Sequence, residues 1–148
     1  MAARSRSRPR SRMRVFACLL LTVALGLLSR RYPLPGVLAQ HTGDALYTVA
    51  AFFGGCLLVP AARANRLAAA AFGWSVAVEL SQLLPFGWLA DLRATRLGAL
   101  VLGQGFLVAD LFAYAIGAAV AWLVDVTIRR RLPRGPQPPD KLPDLFTR

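Results

Sequence analysis

Apolar residues run in four blocks along this chain, at about 15–29, 44–62, 67–84 and 106–128, and polar or basic residues fill the links between them. A helix needs roughly 20 residues to cross a hydrocarbon core about 30 Å thick, so each block has the length of a span or nearly so. The first reaches it when Met13 and a snorkelling Arg14 extend it. Backbone amides and carbonyls find no water inside a bilayer, which makes each span a helix rather than a strand. The prediction is an all-α, polytopic membrane protein: a four-transmembrane-helix bundle over residues 15–128.

The links refine that picture. Pro85-Phe86-Gly87-Trp88 ends the third block, residues 97–102 are apolar again, and Gly103-Gln104-Gly105 precedes the fourth. This segment is expected to lie in the interface or to dip in as a re-entrant element, with irregular backbone tolerated only where protein covers it. The first block also has the layout of a signal peptide, with a basic start and Val37-Leu38-Ala39 as a small-residue cleavage site. Arg30 and Arg31 stand between the apolar core and that site, where cleavable signals rarely carry charge, so the reading is a retained helix.

Composition and charge then orient the bundle. Of 148 residues, 56% are hydrophobic and 17% charged, yet the formal net charge is +11, and mean hydropathy is +0.49. Six arginines alternate through residues 1–14, a stretch too polar to fold alone and expected to be disordered. Six more basic residues follow the last block in the Pro-rich tail at 129–148. With Arg63 and Arg66 this puts fourteen basic residues on one side, against Arg30, Arg31, Arg93 and Arg96 on the other. Basic residues collect on the cytoplasmic side, so both termini are predicted cytoplasmic. The tails then touch anionic lipid headgroups, and no specific nucleic-acid partner is implied. Asp125 and Arg129, four apart, can pair at the inner end of the last helix.

Ionisable residues inside apolar helices cost about 2.5–3.5 kcal/mol near the centre of a bilayer, so each needs a partner or a role. Glu79 and Gln82 share one face of the third block with Ser75, Asp110 and Tyr114 share one face of the fourth, and Asp44 heads the second block with Tyr47 and Thr48. In the predicted topology Glu79 lies about 18 Å from the inner boundary, just past the midplane. Asp44 and Asp110 fall at the outer end. The candidate ligand cluster is therefore Asp44, Tyr47, Glu79, Gln82, Asp110 and Tyr114, with Arg30, Arg31 and Arg96 as charge partners. Ion pairs that merely fix helix register, with Ala113, Gly117 and Ala121 as a small packing stripe, account for the same residues without a ligand. Cys18 and Cys56 form neither a disulfide framework nor a metal-ligand spacing, and no catalytic residue, cofactor or metal is assigned.

Gly43-Asp44-Ala45-Leu46-Tyr47, Glu79-Leu80-Ser81-Gln82 and Asp110-Leu111-Phe112-Ala113-Tyr114-Ala115-Ile116-Gly117 resemble, in order and spacing, a family of short bacterial integral membrane proteins known as domain of unknown function 2809. The resemblance runs from about Gly26 to Val124. It implies a four-helix protein of the bacterial inner membrane and brings no established activity. A more distant likeness is to VanZ-like proteins of the cell envelope, which share the Glu-x-x-Gln and an Asp-x-x-x-Asn-x-x-Gly whose Asn is Tyr114 here. Three functions follow in order of expectation. The first is a non-enzymatic envelope or accessory protein whose outward polar cluster binds a headgroup, alone or as a homo- or hetero-oligomer. The second is a small oligomeric transporter or channel. The third is a membrane enzyme using Glu79 and Asp110 as an acid/base pair.

Overall fold

A computed structural model of the chain describes residues 10–32, 35–102 and 107–131. Arg4, Arg6 and Arg8 of the basic tail, the glycine-flanked link at 103–106 and the Pro-rich tail from 132 onward lie outside the described residues. Among those described, every regular element is helical: α1 (Arg12–Arg31), α2 (Val37–Leu58), α3 (Ala64–Ser81), α4 (Gly87–Ala94), α5 (Arg96–Leu102) and α6 (Val108–Arg131).

Local chemistry sets these boundaries. α1 ends in Arg30 and Arg31, whose charges complement the partial negative charge of a helix C-terminus. α2 starts seven residues before Asp44, because Gly36 at φ +66° supplies the left-handed turn from which the helix departs. It stops ahead of Pro60, which cannot continue the backbone ladder. The Thr95 hydroxyl accepts the Gly98 amide at 2.9 Å and so caps α5. The segment between α3 and α6 is thus two short helices, α4 and α5, that pack on each other.

α2 is the central element, in contact with α1, α3 and α6, while α3 also packs on α6. Gly26 of α1 meets Leu46 of α2, and Arg10 meets Pro60, so α1 and α2 are antiparallel. Thr48 meets Ser75, which sets α3 antiparallel to α2; His41 meets Asp110, which sets α6 parallel to it. The start of α1, the α2–α3 turn and the end of α6 therefore share one end of the bundle, here the proximal end. At Gly117 the backbones of α6 and α2 touch: a Cβ there would lie 2.3 Å from the Ala45 carbonyl oxygen. The small stripe Ala113, Gly117, Ala121 is what permits that approach.

Arg10 closes the proximal end. Its Nε and Nη2 donate to the two oxygens of Asp125, each at 2.8 Å, and Nη1 donates to the carbonyls of Pro60 (3.1 Å) and Ala62 (2.7 Å). Both side chains of the pair are buried. The expected Asp125–Arg129 contact is present but longer, at 3.9 Å. Residues 10–14 depart from the expectation of a disordered tail over 1–14, since Arg10 is clamped and α1 already begins at Arg12.

The surface is apolar, unlike that of a water-soluble bundle, and the interior mixes apolar residues with buried polar ones. Thr48 and Ser75 are 0% exposed, Glu79 1% and Asp125 5%, whereas Phe112 is 72% and Ile116 62% exposed. Of α1, only Val15 and Thr22 are buried. An apolar core of Phe52, Phe53, Cys56, Leu67, Ala71 and Ala121 separates the Arg10–Asp125 clamp from the polar groups further along the bundle.

Four spans were expected, but among the described residues only α1 and α6 are long and apolar enough to cross a membrane by length and composition. α2 and α3 have 22 and 18 residues. Their mean hydropathy is lowered by the exposed Asn65 and Arg66 at the start of α3 and by Asp44, Thr48, Ser75 and Glu79, which are wholly or partly withdrawn from the surface.

Removing one partner of a buried, hydrogen-bonded ion pair strands the other. Arg10→Ala is expected to destabilise the protein by about 3–5 kcal/mol, read as a lowered thermal unfolding midpoint in detergent.

Candidate functional site

Three helices bring their polar faces together beyond the apolar core. α2 contributes His41, Asp44 and Thr48 at helical spacing, α3 contributes Ser75, Glu79 and Gln82, and α6 contributes Asp110 and Tyr114. The deepest layer is a hydroxyl pair, Thr48 Oγ1 and Ser75 Oγ at 2.9 Å. The Ser75 hydroxyl also lies 3.0 Å from the Ala71 carbonyl of its own helix.

Glu79 forms the next layer. Its Oε2 accepts the Tyr114 hydroxyl at 2.7 Å and the Gln82 side-chain amide at 3.0 Å, and its Oε1 accepts the backbone N–H of Leu107 at 2.8 Å. Leu107 immediately precedes α6, so this carboxylate from α3 takes one of the amides at the start of α6 that lack partners within the helix. It also sits where the α6 macrodipole is positive. A carboxylate with three donors is well satisfied in a buried site without a formal counter-charge. Gln82 Oε1 is buried with no hydrogen-bond partner among the described residues.

The rim comprises His41, Asp44 and Asp110. His41 Nδ1 lies 3.0 Å from Asp110 Oδ1, and both side chains are largely buried. One ligand atom from each of the three residues falls within 4.8 Å of the others. Asp44 lies in the electrostatic field of Asp110, Glu79, His41 and Arg30. Of the three predicted carboxylates, Asp44 and Asp110 meet at this rim, while Glu79 lies a layer deeper and bonds to Tyr114, Gln82 and Leu107.

Other predicted members sit apart. The Tyr47 hydroxyl accepts the Trp74 indole N–H at 3.0 Å, which couples α2 to α3 rather than joining the carboxylates. Arg31 stacks over Tyr32, 5.7 Å from the ring centre. Arg96 opens α5 and is exposed. No ion pair among the described residues joins Arg30, Arg31 or Arg96 to a carboxylate. Arg93 instead reaches back from α4 to the Ser81 hydroxyl at 3.0 Å. A second block limited to 44–62 leaves His41 outside it, yet His41 lies within α2, and the His41-x-x-Asp44 spacing is the signal that it shares a helical face with Asp44.

A second feature lies between α1, α2 and α5: a groove of about 220 Å³. Leu27, Leu46, Ala50 and Val101 are among its apolar walls, and Arg30 and Tyr47 also line it.

The fold and site define a helical bundle with an apolar exterior and with polar layers set into a largely apolar interior. Residues 33–118 match the family described as protein of unknown function (DUF2809). The chain belongs to that family, and the match takes in every residue of the carboxylate cluster. No solved structure matches the chain.

Glu79→Gln leaves one carbonyl oxygen to serve three donors, and Tyr114→Phe removes the shortest of those bonds. Each is expected to cost about 1.5–3 kcal/mol, the range for hydrogen bonds to a charged group, measured as a fall in thermal unfolding midpoint.

Proposed function

We propose that this protein is a small multi-pass protein of the bacterial inner membrane, that α1, α2, α3 and α6 all cross the bilayer, and that both chain termini are cytoplasmic. The reading rests on the exposed apolar surface: Phe112, Ile116 and most of α1 lie outside, while Thr48, Ser75, Glu79 and Asp125 are buried among apolar residues. In water, contiguous apolar surface of this extent drives association. In lipid it carries no penalty, and it is the polar groups that must turn inward and find partners. α2 and α3 qualify as spans because Thr48, Ser75 and Glu79 face α6 and each other rather than lipid, and the exposed Asn65 and Arg66 lie in the first turn of α3, at the level of the headgroups. The clustering of basic residues at the proximal end favours the cytoplasm for that end.

The protein acts by binding rather than by catalysis, as an envelope or accessory factor that holds a phosphate-bearing lipid. An acid/base role for Glu79 would require it to break bonds to three donors that hold α3 to α6. The α1–α2–α5 groove has the chemistry of an acyl-chain site, apolar along its walls and with the Arg30 cation available for the headgroup. The Glu79-x-x-Gln82 likeness to VanZ-like envelope proteins leans the same way.

Native mass spectrometry of the delipidated protein, re-exposed to phosphatidylglycerol or phosphatidylcholine, tests this reading. Preferential retention of phosphatidylglycerol is expected, reduced about fivefold in Arg30→Ala, equivalent to the ~1 kcal/mol of one partly exposed ion pair. Equal retention of both lipids by both proteins would overturn it.

A further inference from the structure

We propose that His41, Asp44 and Asp110 form a binding site for a divalent first-row transition cation, of the zinc or manganese kind, at the distal end of the bundle. The donor set is one imidazole and two carboxylates, a combination suited to such ions and distinct from the all-oxygen cages that favour calcium. The three residues come from one turn at the start of α2 and from the first turn of α6, so the helices fix their relative positions. Ligands held about 2.0–2.2 Å from a tetrahedral ion stand roughly 3.3 Å from one another. The His41–Asp110 separation of 3.0 Å is close to that spacing. All three donor atoms lie within 4.8 Å of one another, so small side-chain rotations complete the set.

A separate observation points to a ligand. Asp44 is half-buried, yet no hydrogen bond or ion pair to its carboxylate exists among the described residues, while Asp110 and Glu79 both bear on it electrostatically. Glu79 nearby is satisfied by three donors and Asp110 by His41. Asp44 is thus the carboxylate of the cluster left without a direct partner, and like charges this close are costly unless a cation or a proton is shared between them. A bound divalent ion removes that repulsion and joins α2 to α6 at the end of the bundle opposite the Arg10–Asp125 clamp. With three protein ligands it retains open coordination positions. The site does not depend on a lipid in the α1–α2–α5 groove.

The test uses the full chain in detergent, free of any His-tag and stripped with a chelator. It is titrated with Zn²⁺ and, separately, with Mn²⁺ by calorimetry, and metal content is read by mass spectrometry. The expected result is saturable binding of one ion per chain with a rise in thermal midpoint, and affinity at least about tenfold weaker in Asp44→Asn and His41→Gln. Asp44→Asn removes no hydrogen bond among the described residues and relieves the like-charge repulsion, so its midpoint without metal should be no lower than that of the unaltered protein, and this separates lost ligation from lost folding. No saturable binding of either ion by the unaltered chain, or equal binding by both variants, overturns the proposal.

Discussion

The contact on which the bundle depends most is the one between the Glu79 carboxylate and the start of α6. A single buried acid on α3 takes a phenol from α6, an amide from its own helix end and the backbone N–H that opens α6. In apolar surroundings an unpaired carboxylate costs several kcal/mol, and an unpaired helix-terminal amide is also costly. Each satisfies the other here, so the position of α6 along α3 is set by hydrogen bonds with little tolerance for slippage. Packing alone would not impose this, because stripes of Ala and Gly slide past one another more readily than directional bonds do.

The same rule recurs along the bundle. At the proximal end, Arg10 satisfies Asp125 and two carbonyls of the α2–α3 turn, tying three segments of the chain through one guanidinium. Between the clamp and Glu79 lie the Phe52 core and the Thr48–Ser75 pair. His41, Asp44 and Asp110 then form the distal rim. The polar residues inside the bundle lie in layers where most have a partner, and among the described residues Asp44 and the carbonyl of Gln82 lack one. Those exceptions lie in the layers from Glu79 outward, which is where a bound ligand would restore the balance.

Much of this was legible from spacing. Asp110 and Tyr114 at four residues, and Ser75, Glu79 and Gln82 at four and three, identified faces that do meet. Arg10 was not legible: it sits in a run of alternating arginines that look equivalent, and only the tertiary position of Asp125 distinguishes it. His41 was missed because α2 was taken to begin at Asp44, while the turn that starts the helix depends on the backbone at Gly36. Arg96 was expected to neutralise a carboxylate, but α5 begins there and leaves its side chain in the open. Hydropathy averages set α2 and α3 below α1 and α6 as candidate spans, because an average counts Asp44, Ser75 and Glu79 equally whether they face a neighbouring helix or the surface.

If α2 and α3 cross the bilayer despite their polar content, as proposed, the two ends of α3 lie on opposite sides of the membrane, which side-specific labelling of single cysteines can read. On a background with Cys18 and Cys56 replaced by Ala, cysteines introduced at Arg63 in the α2–α3 turn and at Trp88 in α4 would be probed with a membrane-impermeant maleimide in intact spheroplasts and in inverted vesicles. Four crossings predict that Trp88→Cys reacts only from the outside and Arg63→Cys only from the cytoplasmic side. Labelling of both from the same side would contradict the account, since α3 could not then span the membrane.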